Sequence, residues 1–245
     1  MSRADGDHLT APENAIRKRD PTGRLTLGDC FRAFAGHLSP WVIGTALAVA
    51  IAIRIPLGNW SWRDVAIPLG LLALQPFTEW FIHVYLLHSR PIKVGDRRFD
   101  LPAAKEHRDH HETPADLDGV LIPTPVILVV IPLIALTAVG IGFALNPLIG
   151  GDRIAGTVTG TVAAYAILGV YEWCHFLIHS PYVPRGRLYG SARRSHRLHH
   201  YKNERYWFGV TSNLGDRVIG TNPEPSDVPR SPTARNLREA VGADG

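Results

Sequence analysis

The chain has 245 residues, 45% hydrophobic content and a formal net charge of +4, enough for one sizeable domain. Its two cysteines, Cys30 and Cys174, make neither a C-x-x-C pair nor a secreted disulfide framework. The basic residues lie in loops beside apolar runs with no recognition motif between them, so no nucleic-acid partner is expected.

In chain order, residues 1–36 are polar and lack the apolar run of a signal peptide, and are expected to be a flexible, retained N-terminal segment. A first apolar stretch, Trp41 to Ile53, ends at Arg54, which either snorkels or marks the end of a span. A short connection, Gly58 to Asp64, leads to a second stretch, Val65 to Trp80. These two read as a hairpin of spans, or as one span with a re-entrant segment. Val126 to Leu145 is long enough to cross a hydrocarbon core of about 30 Å. Ile154 to Tyr171 follows and continues helically to His179, its Gly and Thr content pointing to contact with another helix. From Asn222 the sequence holds Pro223, Pro225, Pro229 and Pro232 without an apolar pattern, so residues 222–245 are expected to be a disordered tail. The expected fold is all-α: about four transmembrane helices within a membrane domain of residues 37–221.

Six Lys and Arg residues precede Trp41, six lie between Ser89 and Gly119 and eleven follow Ser180, against one in each short turn, 58–64 and 146–153. The positive-inside rule then puts both termini and the long central loop in the cytosol.

Ten of the twelve histidines fall in four groups: His83 and His88; His107, His110 and His111; His175 and His179; His196, His199 and His200. All four groups sit at the cytosolic ends of spans or beyond them, which predicts a histidine-rich helical cap. Positions three and four apart share a helical face, so three groups can direct their imidazoles at one ion. His83 and His88 fit less well, because five residues turn an ideal helix by about 140°. That pair requires a helix end, a π-bulge or ligation of different ions. Ten imidazoles exceed the ligand set of one ion, so two ions are implied. Thiolate-free nitrogen ligation suits iron, copper or zinc, and spacing does not choose among them.

The stretches Glu79-Trp-Phe-Ile-His83-Val-Tyr-Leu-Leu-His88, His107-Arg-Asp-His110-His111, His175-Phe-Leu-Ile-His179 and His196-Arg-Leu-His199-His200-Tyr201-Lys202-Asn203 resemble the fatty acid hydroxylase and sterol desaturase superfamily. Phe208 to Ser212 and Asp216 to Thr221 are similar to the segment after the last histidine box of fatty acid 2-hydroxylases. The resemblance implies a dinuclear iron site, with zinc as an occupant in purified protein, and O2-dependent hydroxylation of a membrane lipid's acyl chain at the 2-position. It also implies two electrons from an external donor. No His-Pro-Gly-Gly haem motif or cysteine cluster is present, so a separate redox protein is expected, such as a ferredoxin or a cytochrome b5-like protein. The basic loops either dock that donor or follow the topology rule.

Glu79 and Glu172 lie four and three positions before His83 and His175, where a carboxylate can accept a ligand's second N–H and fix its tautomer. Asp216 is a weaker candidate of the same kind. Tyr171, Tyr206, Trp207 and Phe208 are candidates for an acyl channel, or ordinary interfacial aromatics. Two other functions compete: action on a sterol or other polycyclic lipid, and metal transport or storage. A transporter needs ligands near the bilayer midplane rather than at one face.

Overall fold

Among the described residues, four helical segments are long and apolar enough to cross a membrane: Leu38–Leu57, Arg63–Leu87, Leu117–Leu145 and Arg153–His179. They come from a computed structural model that describes residues 25–183 and 185–237. The elements run α1 (Leu27–Phe34), α2 (Leu38–Leu57), α3 (Arg63–Phe81) and a π-helical turn (Ile82–Leu87), then an antiparallel hairpin of β1 (Ile92–Val94) and β2 (Arg97–Phe99). They continue with α4 (Pro102–Glu112), a 3-10 turn (Leu117–Gly119), α5 (Thr124–Ile149), α6 (Arg153–His179), α7 (Arg187–Tyr201), α8 (Leu214–Ile219) and a second 3-10 turn (Pro225–Asp227). The expectation of a mostly helical chain with four spans holds, with one short hairpin added. The first apolar stretch extends to 20 helical residues, about 30 Å of rise, so it is long enough to span rather than re-enter.

The helix α6 is the hub, packed against α2, α3 and α5. Asp152 caps its first turn, accepting from the amides of Ile154 at 2.9 Å and Ala155 at 3.0 Å. The Thr157 side chain of α6 fills the space that a Cβ on Gly142 of α5 would need, so small residues set the approach of these helices, as the Gly and Thr content predicts. Large apolar side chains such as Val129, Leu133 and Leu136 on α5 point outward and are exposed, which suits hydrocarbon and not water.

Both short turns lie at one end of the bundle. There the buried Arg54 donates from Nε to Thr159 Oγ1 at 2.7 Å, from Nη1 to the Gly58 carbonyl at 2.6 Å and from Nη2 to Asp64 Oδ1 at 2.6 Å. Its guanidinium also lies 3.8 Å from the Trp60 ring centroid. Arg54 therefore marks the end of a span, held inward by four partners. Asn59 donates to Asp152 Oδ2 at 2.7 Å and joins the two turns.

Two boundary expectations are corrected. Part of the N-terminal segment is ordered: Thr26 and Asp29 form a capping box on α1. Cys30 and Phe34 of α1 then share a core with Leu117, Leu121, Phe176 and Leu177. The i,i+4 pairing of Cys30 with Phe34 behind a capping box is the signal that a reading by polarity passes over. Residues 222–237 of the expected tail are likewise folded onto the protein, with Val228, Ala234 and Leu237 buried. Side chains of the last histidine segment bind their backbone, so these residues need no apolar stripe of their own. Residues 1–24 and 238–245 lie outside the described residues.

Candidate metal centre

Each histidine group reaches the opposite end of the bundle through a local cause. The π-helical turn closes with the His88 amide on the His83 carbonyl at 3.1 Å, a five-residue repeat that brings His83 and His88 onto one face. Of the three ways to use this pair, the π geometry is the one adopted. In α7 the buried residues are Ala192, Ser195, His196, His199 and His200, the three-and-four spacing that an amphipathic helix reserves for apolar side chains. The helix α4 does the same with Ala104, His107, His110 and His111. Arg108 holds α4 against the π turn, pairing with Asp100 and donating to the Ser89 carbonyl at 2.9 Å. His175 and His179 close α6. Of the other two histidines, His37 lies 3.6 Å from Asp118, and His8 is outside the described residues.

The ten imidazoles form two groups of five: His83, His88, His107, His111 and His199, and His110, His175, His179, His196 and His200. Within each group the candidate ligand atoms lie within 4.8 Å of one another. The groups adjoin, the rings of His111 and His200 being 4.1 Å apart. Sequence spacing alone does not reveal the partition: α4 and α7 each serve both groups.

Hydrogen-bond direction shows what these nitrogens can hold. His83, His111 and His199 place Nδ1 against the carbonyls of Phe208 at 2.6 Å, Ala234 at 2.9 Å and Tyr206 at 2.8 Å. A carbonyl only accepts, so each Nδ1 carries the proton and each neutral ring turns a bare Nε2 inward. Yet Nε2 of His111 and Nε2 of His199 are 3.2 Å apart, two lone pairs facing each other. Nε2 of His107 lies 3.1 Å from that of His83 and 3.2 Å from that of His111. In the other group the Nε2 pairs His110–His179 and His196–His200 are 3.2 and 3.0 Å apart. His175 Nε2 is buried with no partner among the described residues. Ligands at about 2.1 Å from an ion stand about 3 Å apart, so ring nitrogens converging at this spacing fit a cation. Burial holds His88, His107, His110, His196, His199 and His200 well below the ordinary histidine value, and repulsion from neighbouring imidazoles adds to it. Burial takes His111 down to about 4. Neutral imidazole is the form a metal binds.

The carboxylates act one step further out than the sequence suggests. Glu79 accepts from the amides of Val210 and Thr211, the latter at 2.9 Å, and from Thr211 Oγ1 at 2.6 Å. It thereby holds the loop whose Phe208 carbonyl orients His83. Asp216 braces the same loop, accepting from the amides of Phe208 at 3.0 Å and Gly209 at 2.7 Å and from Thr221 Oγ1 at 2.6 Å. Glu172 accepts from Ser39 Oγ at 2.6 Å and the Ile122 amide at 3.1 Å. It holds the segment whose Val120 carbonyl accepts from His175. The three carboxylates bond chain segments rather than ligand N–H groups, and backbone carbonyls already occupy the outer nitrogens of His83 and His175.

The aromatic candidates divide. Phe208 is buried against the rings of His83, His88 and His199 at 5.5, 5.7 and 5.2 Å. Tyr171 lies 5.8 Å from His175. Tyr206 supplies its carbonyl to His199. Trp207 turns away from the imidazoles to donate to the Pro223 carbonyl at 3.2 Å, with φ at 59°. Its indole anchors this loop to the segment at Pro223.

Four spans with ten imidazoles gathered at one end, nine of them buried, define a helical membrane protein built around a polyhistidine centre. The chain belongs to the fatty acid hydroxylase family, whose profile matches residues 68–221; this agrees with the resemblance that the histidine boxes carry. It is 26% identical over 157 residues to the fatty acid 2-hydroxylase of Homo sapiens, covering 62% of this chain and 39% of that protein. It is 34% identical over 128 residues to the ceramide very long chain fatty acid hydroxylase SCS7 of Saccharomyces cerevisiae, covering 51% of this chain and 29% of that one. With the dihydroceramide fatty acyl 2-hydroxylase FAH2 of Arabidopsis thaliana it shares 26% over 158 residues, 63% of this chain and 62% of the relative. The chain thus matches less than two thirds of the length of each of these curated relatives. A solved structure of full-length scs7p, with only its hydroxylase domain visible, matches with a TM-score of 0.60 at 22% identity. It covers 79% of this chain and 68% of that chain, a likeness of fold.

Proposed function

We propose that this protein is an O2-dependent lipid hydroxylase that inserts a hydroxyl at the 2-position of an acyl chain, using two iron ions, one in each histidine group. The observation that carries the reading is the convergence of Nε2 atoms at 3.0–3.2 Å in both groups, those of His83, His111 and His199 in the first group being bare. Family membership and relatives named for 2-hydroxylation support the choice of acyl chain over sterol. When bound, iron would supply the activation of O2 with two external electrons, one oxygen atom entering the C–H bond and the other leaving as water.

The chain's own residues do three things in this scheme. His83, His111 and His199 keep their protons on Nδ1 by donating to backbone carbonyls, which leaves Nε2 free to ligate. Burial keeps the set neutral without an ion and keeps water from it. Glu79, Asp216 and Glu172 hold the segments that carry the orienting carbonyls, so the imidazoles are placed before any ion arrives. The charge asymmetry supports a cytosolic centre and cytosolic termini, within reach of a separate soluble or membrane-bound electron donor.

The test is expression in a host that lacks hydroxylated lipids, with lipid mass spectrometry and metal analysis of the purified protein. New 2-hydroxy acyl species, lost on His111→Ala or His200→Ala, are the expected result. Altered sterols or terpenoids with an unchanged acyl profile would reassign the substrate. A protein that binds iron yet shows no substrate-dependent O2 consumption would point to storage or transport instead.

A further inference from the structure

Residues 222–237 lie beyond the segment that matches the family profile, yet they reach the centre of the histidine cluster. The Ala234 carbonyl accepts from Nδ1 of His111 at 2.9 Å, and both residues are buried. The acceptors of His83 and His199, by contrast, come from residues 206–208, inside the matched segment. The arm is fastened where α7 ends. The Ser231 amide donates to the Lys202 carbonyl at 2.8 Å. Ser231 Oγ and Thr233 Oγ1 both donate to Glu204 Oε1, at 3.0 and 2.7 Å. Asn203 Nδ2 donates to the Pro229 carbonyl at 3.2 Å. At its far end Arg235 Nη2 donates to the carbonyl of Glu112, the residue after His111, at 3.2 Å. The arm therefore bridges the C-terminal ends of α4 and α7, the two helices that feed both histidine groups.

We propose that this arm is a positioning element for the first histidine group, acting through the Ala234 carbonyl on His111. The inference rests on reading the ten histidines as metal ligands. The physical reason is tautomer choice. With Ala234 in place, the proton of neutral His111 sits on Nδ1 and the lone pair of Nε2 faces Nε2 of His107 and His199. Without that acceptor a buried Nδ1–H has no partner. The proton then shifts to Nε2, where it occupies the ligating lone pair, or the ring turns away. The second group draws none of its orienting contacts from the arm, so the effect should be confined to one ion. Four prolines at 223, 225, 229 and 232 restrict the free arm and lower the entropy lost when it docks.

The experiment loads the full chain, purified in detergent, with iron(II) under anaerobic conditions. It measures iron per chain and retention against a chelator. The variant is Ser231→Ala with Thr233→Val, which cuts the arm from Glu204; deletion after Val228 is the stronger form, and the double substitution keeps the test valid where the shortened chain does not fold. The arm variant is expected to bind one of its two ions about 10- to 100-fold more weakly, with unchanged helical content. In a His196→Ala/His200→Ala background, which spares the first group, the arm variant should lose the remaining iron. In a His107→Ala/His199→Ala background it should change nothing. Equal weakening in both backgrounds, or none in either, overturns the proposal. A full-length chain that binds no iron would instead overturn the metal reading beneath it.

Discussion

Glu79 reaches His83 only through the chain segment it holds. Its carboxylate collects the amides of Val210 and Thr211 and the Thr211 hydroxyl, and the carbonyl of Phe208, two residues before, faces His83 Nδ1. Glu79→Ala strands two amides in a buried loop, a cost of about 1–3 kcal/mol for each donor left unpaired. It should lower the melting temperature and weaken iron binding about 10- to 100-fold, the range expected when an outer partner of a metal ligand is lost. Glu79→Gln keeps an acceptor oxygen and should lie between the two. Melting curves and iron retention check this, and an alanine variant indistinguishable from the parent in both would remove Glu79 from the scheme. The ten imidazoles could be picked out from the sequence because histidine clustering is chemically unusual. Their outer partners could not, because Phe208, Tyr206 and Ala234 act through backbone carbonyls that every residue carries.

At the scale of elements, the end of the bundle away from the histidines depends on Arg54 joining α2, α3 and α6. It contacts Gly58 after its own helix, Asp64 on α3 and Thr159 on α6. Arg54 is buried and Asp64 part-buried, so removing one member leaves the other charge uncompensated at a cost of up to about 3–5 kcal/mol, the range of fully buried pairs. Arg54→Met should therefore destabilise strongly, while Arg54→Met with Asp64→Asn should recover part of the loss. A double-mutant cycle on thermal unfolding measures that coupling. Additive losses would mean that the pair does not couple the hairpins. Iron content should hold in every variant that stays folded, since the pair lies across the bundle from the imidazoles. The four spans were readable from apolar run length. The π turn was only one of three options, because the five-residue spacing of His83 and His88 states a geometric problem without choosing its solution. The order in α1 was hidden for another reason: eight residues with two buried side chains make too weak a periodic signal against a polar background.

Across the whole molecule, the cluster places ten weakly basic groups inside a fold that has to keep them neutral. The apolar pattern puts them at the ends of spans, but does not tell that residues 222–237 would close over them, since that arm is held by hydrogen bonds to Lys202, Asn203 and Glu204 rather than by an apolar stripe. The consequence for stability has a definite sign. Unfolded histidine takes up a proton near pH 6.5, whereas burial lowers the imidazoles of α4 and α7 well below this, with His111 at about 4. As pH falls through 6.5, the unfolded chain binds protons that the folded chain refuses, so stability falls with pH. For His111 that loss develops between about 6.5 and 4 and levels off below, once both states are protonated. Iron-free protein should thus melt at progressively lower temperature from pH 7 toward pH 4. Iron-loaded protein should melt higher than iron-free protein at neutral pH, because the ion binds the folded state alone, and should lose that margin on acidification as protons compete for Nε2. Melting curves of both forms across the range decide it. A flat profile for the iron-free chain would mean that its imidazoles titrate as they do in water and that the cluster opens to solvent without its ions.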